Sequence, residues 1–308
     1  MTWLSWRQFR TQALVAGAAL LVLAVYLVML GLRIRDTDAG GLMRYQSELY
    51  LVDALVLVAP GLAGMFWGAP LVARELETGT HRFVWAQSVS RRRWLAVKLL
   101  VVAGAATLAT GLLSALLTWA AAPYDTFAGD RFTALLFGTR NLAPAAYAAF
   151  AVVLGATLGL LLRRTLPAMA LTFVLFTAVQ VAVPLALRPH LGTPVTGSQP
   201  ITAAVVRELR FLSSDADIEG LQVHGGWVVR TSKLLAADGR RVDQQRYESC
   251  VLRTPEAVGE CLEALNLHVS AAYFPADRYW RFQWLESVLY LTAAALLSLL
   301  SRWRVRHA

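Results

Sequence analysis

VKLLVVAGAATLATGLLSALLTWA, residues 97–120, holds a single charged residue, Lys98, next to its first position. A helix rising 1.5 Å per residue needs about 20 residues to cross the hydrocarbon of a bilayer, so such a run reads as a membrane span. Five more runs share its character: 12–32, 52–73, 141–162, 165–187 and 283–301. Hydrocarbon offers no partner for an open backbone group, so all six are expected as helices. Pro60, Pro70, Pro167 and Pro184 fall inside these runs or near their ends and mark kinks or ends. The first run has an apolar core of about 20 residues, longer than the apolar part of a signal peptide, and no small-residue cleavage site follows it. It is expected to remain as the first helix.

Charge sets the orientation. With the N-terminus inside, segments 1–11, 74–98, 163–164 and 302–308 carry 13 Lys or Arg, against 5 in the short outer segments 33–51 and 121–140. Short loops rich in Lys and Arg stay in the cytoplasm, so both termini are expected there. The long segment 188–282 has 11 basic and 11 acidic residues, and a loop of that length crosses regardless of charge. The net charge of +9 therefore reflects membrane topology and not nucleic-acid binding. Eight of the ten Trp, at 3, 6, 85, 94, 119, 280, 284 and 303, fall near span ends, where an apolar ring with a polar N–H is favoured.

The fold expected is an all-α polytopic membrane protein of six transmembrane helices, with a small α+β extracytoplasmic domain between helices five and six. Residues 1–187 would hold an N-terminal interfacial helix, spans one to five and a loop at 74–98. Residues 188–282 would form the outer domain, and 283–308 the sixth span with a cytoplasmic tail. MTWLSWRQFR, residues 1–10, reads as a short amphipathic helix lying on the inner surface. In the outer segment, 188–200 is rich in Pro, Gly, Ser and Thr and reads as loop. Residues 220–243 fit a β-ribbon. Thr254 and Pro255 open a short helix as cap and first residue. Pro275 and Asp277 suit the start of an interfacial helix leading into the sixth span. Cys250 and Cys261, the two cysteines of the chain, are expected to pair in an oxidising compartment. Two free thiols or a metal site are the alternatives, and without a His cluster nearby a metal is disfavoured.

Little in the chain points to intrinsic catalysis. It lacks the G-x-x-x-x-G-K-[ST] phosphate loop and the H-E-x-x-H zinc motif. Its five His, at 81, 190, 224, 268 and 307, are scattered. No metal site and no cofactor of its own is expected. Proton-coupled carriers place titratable groups deep in their spans; here Asp53 and Glu286 stand at outer span ends. Glu286 is expected to pair with Arg278 or Arg281 at the outer interface.

The loop after the second span, ARELETGTHRFVWAQSVSRRRWLAVK at 73–98, is the most patterned stretch. ARELE continues the helix, Gly79 breaks it, HRFVWAQ reads as a short helix, and Ser90 caps the third span. Arg91, Arg92 and Arg93 then lie at headgroup level. With Glu75, Glu77, Gly79, Thr80, Ser90, Arg91 and Lys98, the stretch resembles the cytoplasmic loop of permease subunits of type-2 ABC exporters. The ending ADRYWRFQWLESVLYL, 276–291, looks like an actinomycete subgroup with an enlarged loop between spans five and six.

The resemblance implies a coupling helix that docks on a separate ABC ATPase, which would bind ATP and magnesium, in an assembly of two permeases and two ATPases in the plasma membrane. It points to Glu75, Glu77, Gly79, Thr80, Arg82, Phe83 and Trp85 as the coupling residues. The chain is then not an enzyme itself but the permease of an exporter, with an amphipathic drug, lipid or peptide as cargo. Two other readings stand beside it. One is a membrane-anchored sensor or immunity protein whose outer domain binds a ligand without transport. The other, an intramembrane enzyme, requires polar residues meeting inside the bilayer.

Overall fold

The computed structural model describes residues 2–79, 90–129, 131–209, 211–213, 216–223, 225–237, 239–252 and 254–307. The chain divides into two compact units, one made of Met1–Ala128, Ala134–Arg188 and Trp280–Ala308, the other of Gly129–Thr133 and Pro189–Tyr279.

The first unit is a helix bundle with six helices long and apolar enough to cross a membrane: Gly17–Arg35, Ala39–Glu77, Arg91–Ala128, Ala143–Leu162, Thr165–His190 and Ala276–Val305. Each contains most or all of one apolar run read from the sequence. Helix α1, Thr2–Arg35, is continuous. The expected surface helix at the N-terminus is thus joined to the first span without a break, and no proline lies between them to separate the two. The second span is composite: a 3-10 turn Ala39–Tyr45, α2 Gln46–Ala63, a π turn Gly64–Gly68 and α3 Ala69–Glu77. Pro60 lies within α2 and removes one ladder donor, and the wider π turn follows one turn later. Helix α4, Arg91–Ala128, is the third span, and the short buried helix α5, Ala134–Thr139, follows.

Helix α6, Ala143–Leu162, is the fourth span, with 15 of its 20 residues buried. A helix apolar on every side belongs at the centre of a bundle. The second span lies against it through glycines. A Cβ at Gly155 would sit 2.3 Å from the Gly64 oxygen, and one at Gly159 2.4 Å from the Ala69 oxygen. The reverse holds at Gly64 and Gly68, where a Cβ would come within 2.5 Å of the Ala151 and Val152 oxygens. Two small-x-x-x-small faces meet backbone to backbone, which is how membrane helices approach closely when lipid gives no hydrophobic drive. The fifth span is α7, Thr165–Ala182, prolonged by a π turn Val183–Leu187 and a 3-10 turn Arg188–His190. The sixth is α11, Tyr279–His307, entered through a 3-10 turn Ala276–Arg278. The alternation of the six spans puts Thr2, Gly79, Ser90, the 163–164 turn and His307 at one end of the bundle, called here the loop end.

The second unit mixes strands and helices. β1, Val195–Pro200, pairs antiparallel with β5, His268–Phe274, and β4, Trp227–Thr231, pairs antiparallel with the other edge of β5. β2, Phe211–Leu212, and β3, Ile218–Glu219, form a small second sheet. Helices α8 Ala203–Glu208, α9 Gln244–Val251 and α10 Pro255–Ala264 complete the unit. Its core gathers Ile201, Ile218, Leu234, Tyr247, Leu262 and Val269. The segment expected as loop at 188–200 contains β1, because Thr196 to Pro200 find open partners on β5. The expected ribbon supplies β4, whose partner is the distant β5 and not a local hairpin. Thr254 and Pro255 open α10 as expected. Cys250 and Cys261 form a disulfide between α9 and α10, with Cα atoms 5.5 Å apart.

Candidate functional site

The patterned loop leaves the bundle from α3, whose last turn carries Glu75 and Glu77. Gly79 stops the helix. Its φ is +71°, a conformation open to glycine, and its N–H reaches the Leu76 oxygen at 3.4 Å. Thr78 closes the last turn by donating its hydroxyl to the Arg74 oxygen at 2.8 Å. Thr80, Arg82, Phe83 and Trp85 lie outside the described residues. The chain resumes at Ser90, whose Oγ accepts from Arg93 N–H at 3.4 Å, the cap read from the sequence.

The two carboxylates of this stem are already engaged within the chain. Lys98, 7% exposed on α4, donates to Glu75 Oε1 in an ion pair. The same ammonium reaches the Leu71 oxygen at 3.4 Å and lies 4.7 Å from the Trp94 ring centre. Glu77 reaches the start of α7. Its Oε2 accepts from Thr165 N–H at 3.0 Å and Thr165 Oγ–H at 2.6 Å. The residue at the cap position of α7 is Arg164, which makes no side-chain cap bond. Glu77 therefore serves as the N-cap of another helix, meeting an orphan donor at its positive end. At the loop end of the bundle, Arg74, Arg92, Arg93, Arg163, Arg164, Arg302 and Arg304 are exposed.

Polar chemistry also gathers at the opposite end of the bundle, in a form the sequence did not disclose. Glu286 is fully buried. Arg188 donates to it through Nε at 2.9 Å and Nη2 at 3.2 Å, and Tyr147 donates its hydroxyl to Oε1. The expected partners are not the ones found: Arg278 donates to the Thr193 oxygen and Arg281 is exposed. Residues 281 and 286 are five apart, about 140° around a helix of 3.6 residues per turn. The face of α11 that buries Glu286 with Phe282, Gln283 and Tyr290 thus turns Arg281 away. The Arg188 guanidinium also stacks 3.9 Å over the Phe137 ring. Gln283 bridges the Phe137 oxygen at 3.0 Å and Ala143 N–H at 3.1 Å. Nearby in the chain, Arg140 joins Asp53 and Asp125, with Nε 3.0 Å from Asp125 Oδ2. Thr139 Oγ–H adds a bond to Asp53 at 2.9 Å. Burial opposes the Arg140 charge, but the two carboxylates outweigh it and hold its pKa above the ordinary value.

The signals for these contacts were present but ambiguous. A charged residue beside an apolar run, such as Lys98 or Arg188, reads equally well as headgroup flank or buried partner. The pairs GMFWG and GATLG, 64–68 and 155–159, were a legible packing motif. Among the described residues no group of three or more His, Cys, Asp or Glu is placed to hold a metal.

Neither a curated protein nor a solved structure matches the chain. Residues 17–188 do match a family model, ABC-2 membrane transporter related. That stretch takes in the first five spans, the whole of loop 78–90, the glycine-packed centre and the Glu75 and Glu77 ties. With more than half its length matched, across five of the six spans of the bundle, this multi-pass membrane protein belongs to the ABC-2 membrane transporter related family.

Proposed function

We propose that the chain is the membrane-spanning permease subunit of an ATP-binding-cassette exporter, driven by a separate ATPase that docks on loop 78–90. The observation that carries this reading is the family membership of residues 17–188, the stretch that contains the loop. The excess of Lys and Arg in the segments at the loop end supports a cytoplasmic position for that end, with both termini inside the plasma membrane. It follows that residues 189–279 lie outside, where a disulfide is at home. The chain has no phosphate-binding loop of its own, so in this reading ATP and magnesium are held by the partner and the chain does no hydrolysis. Thr80, Arg82, Phe83 and Trp85 are the docking contacts. A second permease completes the pathway, and the apolar bundle suits an amphipathic cargo such as a drug, lipid or peptide.

The test is affinity purification of the tagged full-length chain in mild detergent. The expected result is stoichiometric recovery of an ABC ATPase, lost when Phe83 and Trp85 are replaced by Ala. Recovery of the chain alone, under conditions that keep a control ABC complex intact, refutes the reading and favours a membrane-anchored sensor.

A further inference from the structure

Glu75 and Glu77 stand two residues apart, about 200° around a helix of 3.6 residues per turn. They cannot both face one groove of a partner. In the structure they face different spans: Glu75 meets Lys98 of α4, and Glu77 meets Thr165 of α7. We propose that Glu75 and Glu77 are positioning residues that staple the stem of the loop to the third and fifth spans, so that force on loop 78–90 moves the second, third and fifth spans together. The proposal rests on the exporter reading above and changes the part these two residues play in it. Docking falls to residues 80–85, and transmission to Glu75, Glu77, Lys98 and Thr165.

Three observations carry it. The Glu75–Lys98 pair is shielded, with side chains 16% and 8% exposed, and water competes weakly for ions in such a place. The Glu77 bond is geometrically specific. One oxygen takes both the backbone N–H and the hydroxyl of Thr165, so the tie reaches the helix backbone as well as a side chain. The stem is also packed without slack. Ala69 and Ala73 of α3 and Ala168 of α7 are fully buried in one cluster, with Leu158 and Met169 packed against it, and a Cβ at Gly159 of α6 would lie 3.2 Å from that of Ala73. Side chains this short leave no room to absorb a displacement. A push at Gly79 is carried into α7 through Thr165 and Ala168, and into α4 through Lys98.

The experiment uses the permease–ATPase complex in nanodiscs, with an environment-sensitive thiol fluorophore on one introduced cysteine at a time. The native cysteines are joined to each other and stay silent. Leu166→Cys reports on α7, since Leu166 is 77% exposed, and Arg74→Cys reports on α3. ATP with vanadate is expected to shift the emission of both. In Glu77→Ala the shift at 166 is lost, the shift at 74 is kept and the ATPase stays bound. Glu77→Gln keeps an oxygen acceptor for Thr165 and retains both shifts, and Thr165→Val weakens the response at 166 alone. Two results overturn the staple while leaving the exporter reading intact: a shift at 166 that survives Glu77→Ala, or a wild-type complex that shifts at 74 and not at 166. Loss of the ATPase from Glu77→Ala makes Glu77 a docking contact and overturns it as well. A wild-type chain that captures no ATPase overturns both readings.

Discussion

Replacing Arg188 by Met should destabilise the bundle more than any surface change, because of what remains behind. Both side chains of the Arg188–Glu286 pair are shut away from solvent, 1% and 0% exposed. The carboxylate takes two bonds from the guanidinium, at 2.9 and 3.2 Å, and one from Tyr147. Met fills much of the volume over the Phe137 ring but leaves Glu286 with the Tyr147 hydroxyl as its remaining partner among these three bonds. Breaking a buried pair from one side costs about 3–5 kcal/mol, most of it the penalty of the stranded charge. At about 2–4 °C per kcal/mol for a chain of a few hundred residues, the apparent melting temperature should fall by on the order of 10 °C. Adding Glu286→Gln removes the charge and keeps an acceptor for Tyr147, so the double variant should recover more than half of the loss. The assay is size-exclusion of the detergent-solubilised protein after graded heating, for the wild type, both single variants and the double. A double variant no more stable than Arg188→Met refutes the stranded-charge argument. A single variant within about 2 °C of wild type refutes the pair's importance altogether.

Other outcomes follow from the same structure. Gly155→Val places a branched side chain where even a Cβ lies 2.3 Å from the Gly64 oxygen, and it should abolish folded protein in the size-exclusion profile. Gly104→Ala, with open space around the Cβ, should be neutral or stabilise the helix by up to about 1 kcal/mol. Wild-type protein should take up a thiol-reactive polymer only after reduction, and replacing both Cys250 and Cys261 by Ser should remove about 3 kcal/mol from the 189–279 unit, read as faster proteolysis there. Tyr247 donates to the Ser213 oxygen at 2.6 Å, so Tyr247→Phe should cost about 1 kcal/mol. Burial first, and the Asp217 charge second, push the Tyr247 pKa from 10.0 up to about 12. The folded state then holds this proton more tightly than the unfolded chain does. Its contribution is full below pH 10 and fades as pH rises towards 12. Urea titrations of wild type at rising pH should show that decline, and the Phe variant should lack it.

The spans were legible because their signal is local: 97–120 is apolar whatever packs on it. Its helix nevertheless runs Arg91–Ala128, since charged and polar residues continue a helix past the hydrocarbon without breaking its backbone bonds. Partners were less legible than elements. β4 was readable as a strand, yet its mate β5 lies some forty residues further along, and β1 was hidden in a Gly- and Pro-rich stretch that is ordered by the same β5 edge. For Glu286 the sequence offers Arg278 and Arg281 as near neighbours. The helix phase turns Arg281 away, and the true partner, Arg188, lies 98 residues back in the chain. Cys250 and Cys261 could be paired from sequence because the chain has no third cysteine and no His cluster beside them favours a metal. The loop signature was visible, but the structural ties of its two acidic residues were not, since a carboxylate before a glycine break serves a docking groove or an internal tie equally well.

The spacing of that signature separates the two roles. A run of contacts meant for one external groove should recur every three or four residues on a helix, where side chains share a face. Glu75 and Glu77 break this rule and are satisfied on two different spans. If only charge toward a partner mattered, Glu77 could be shifted to position 78 without harm. The structure argues otherwise, because the Glu77 oxygen meets the first backbone N–H of α7 at 3.0 Å, and a one-residue shift rotates the carboxylate by about 100° out of reach. The exchange Glu77→Thr with Thr78→Glu preserves composition, charge and loop length. It should leave ATPase binding intact and still uncouple α7, whereas a purely electrostatic docking role predicts no change in either.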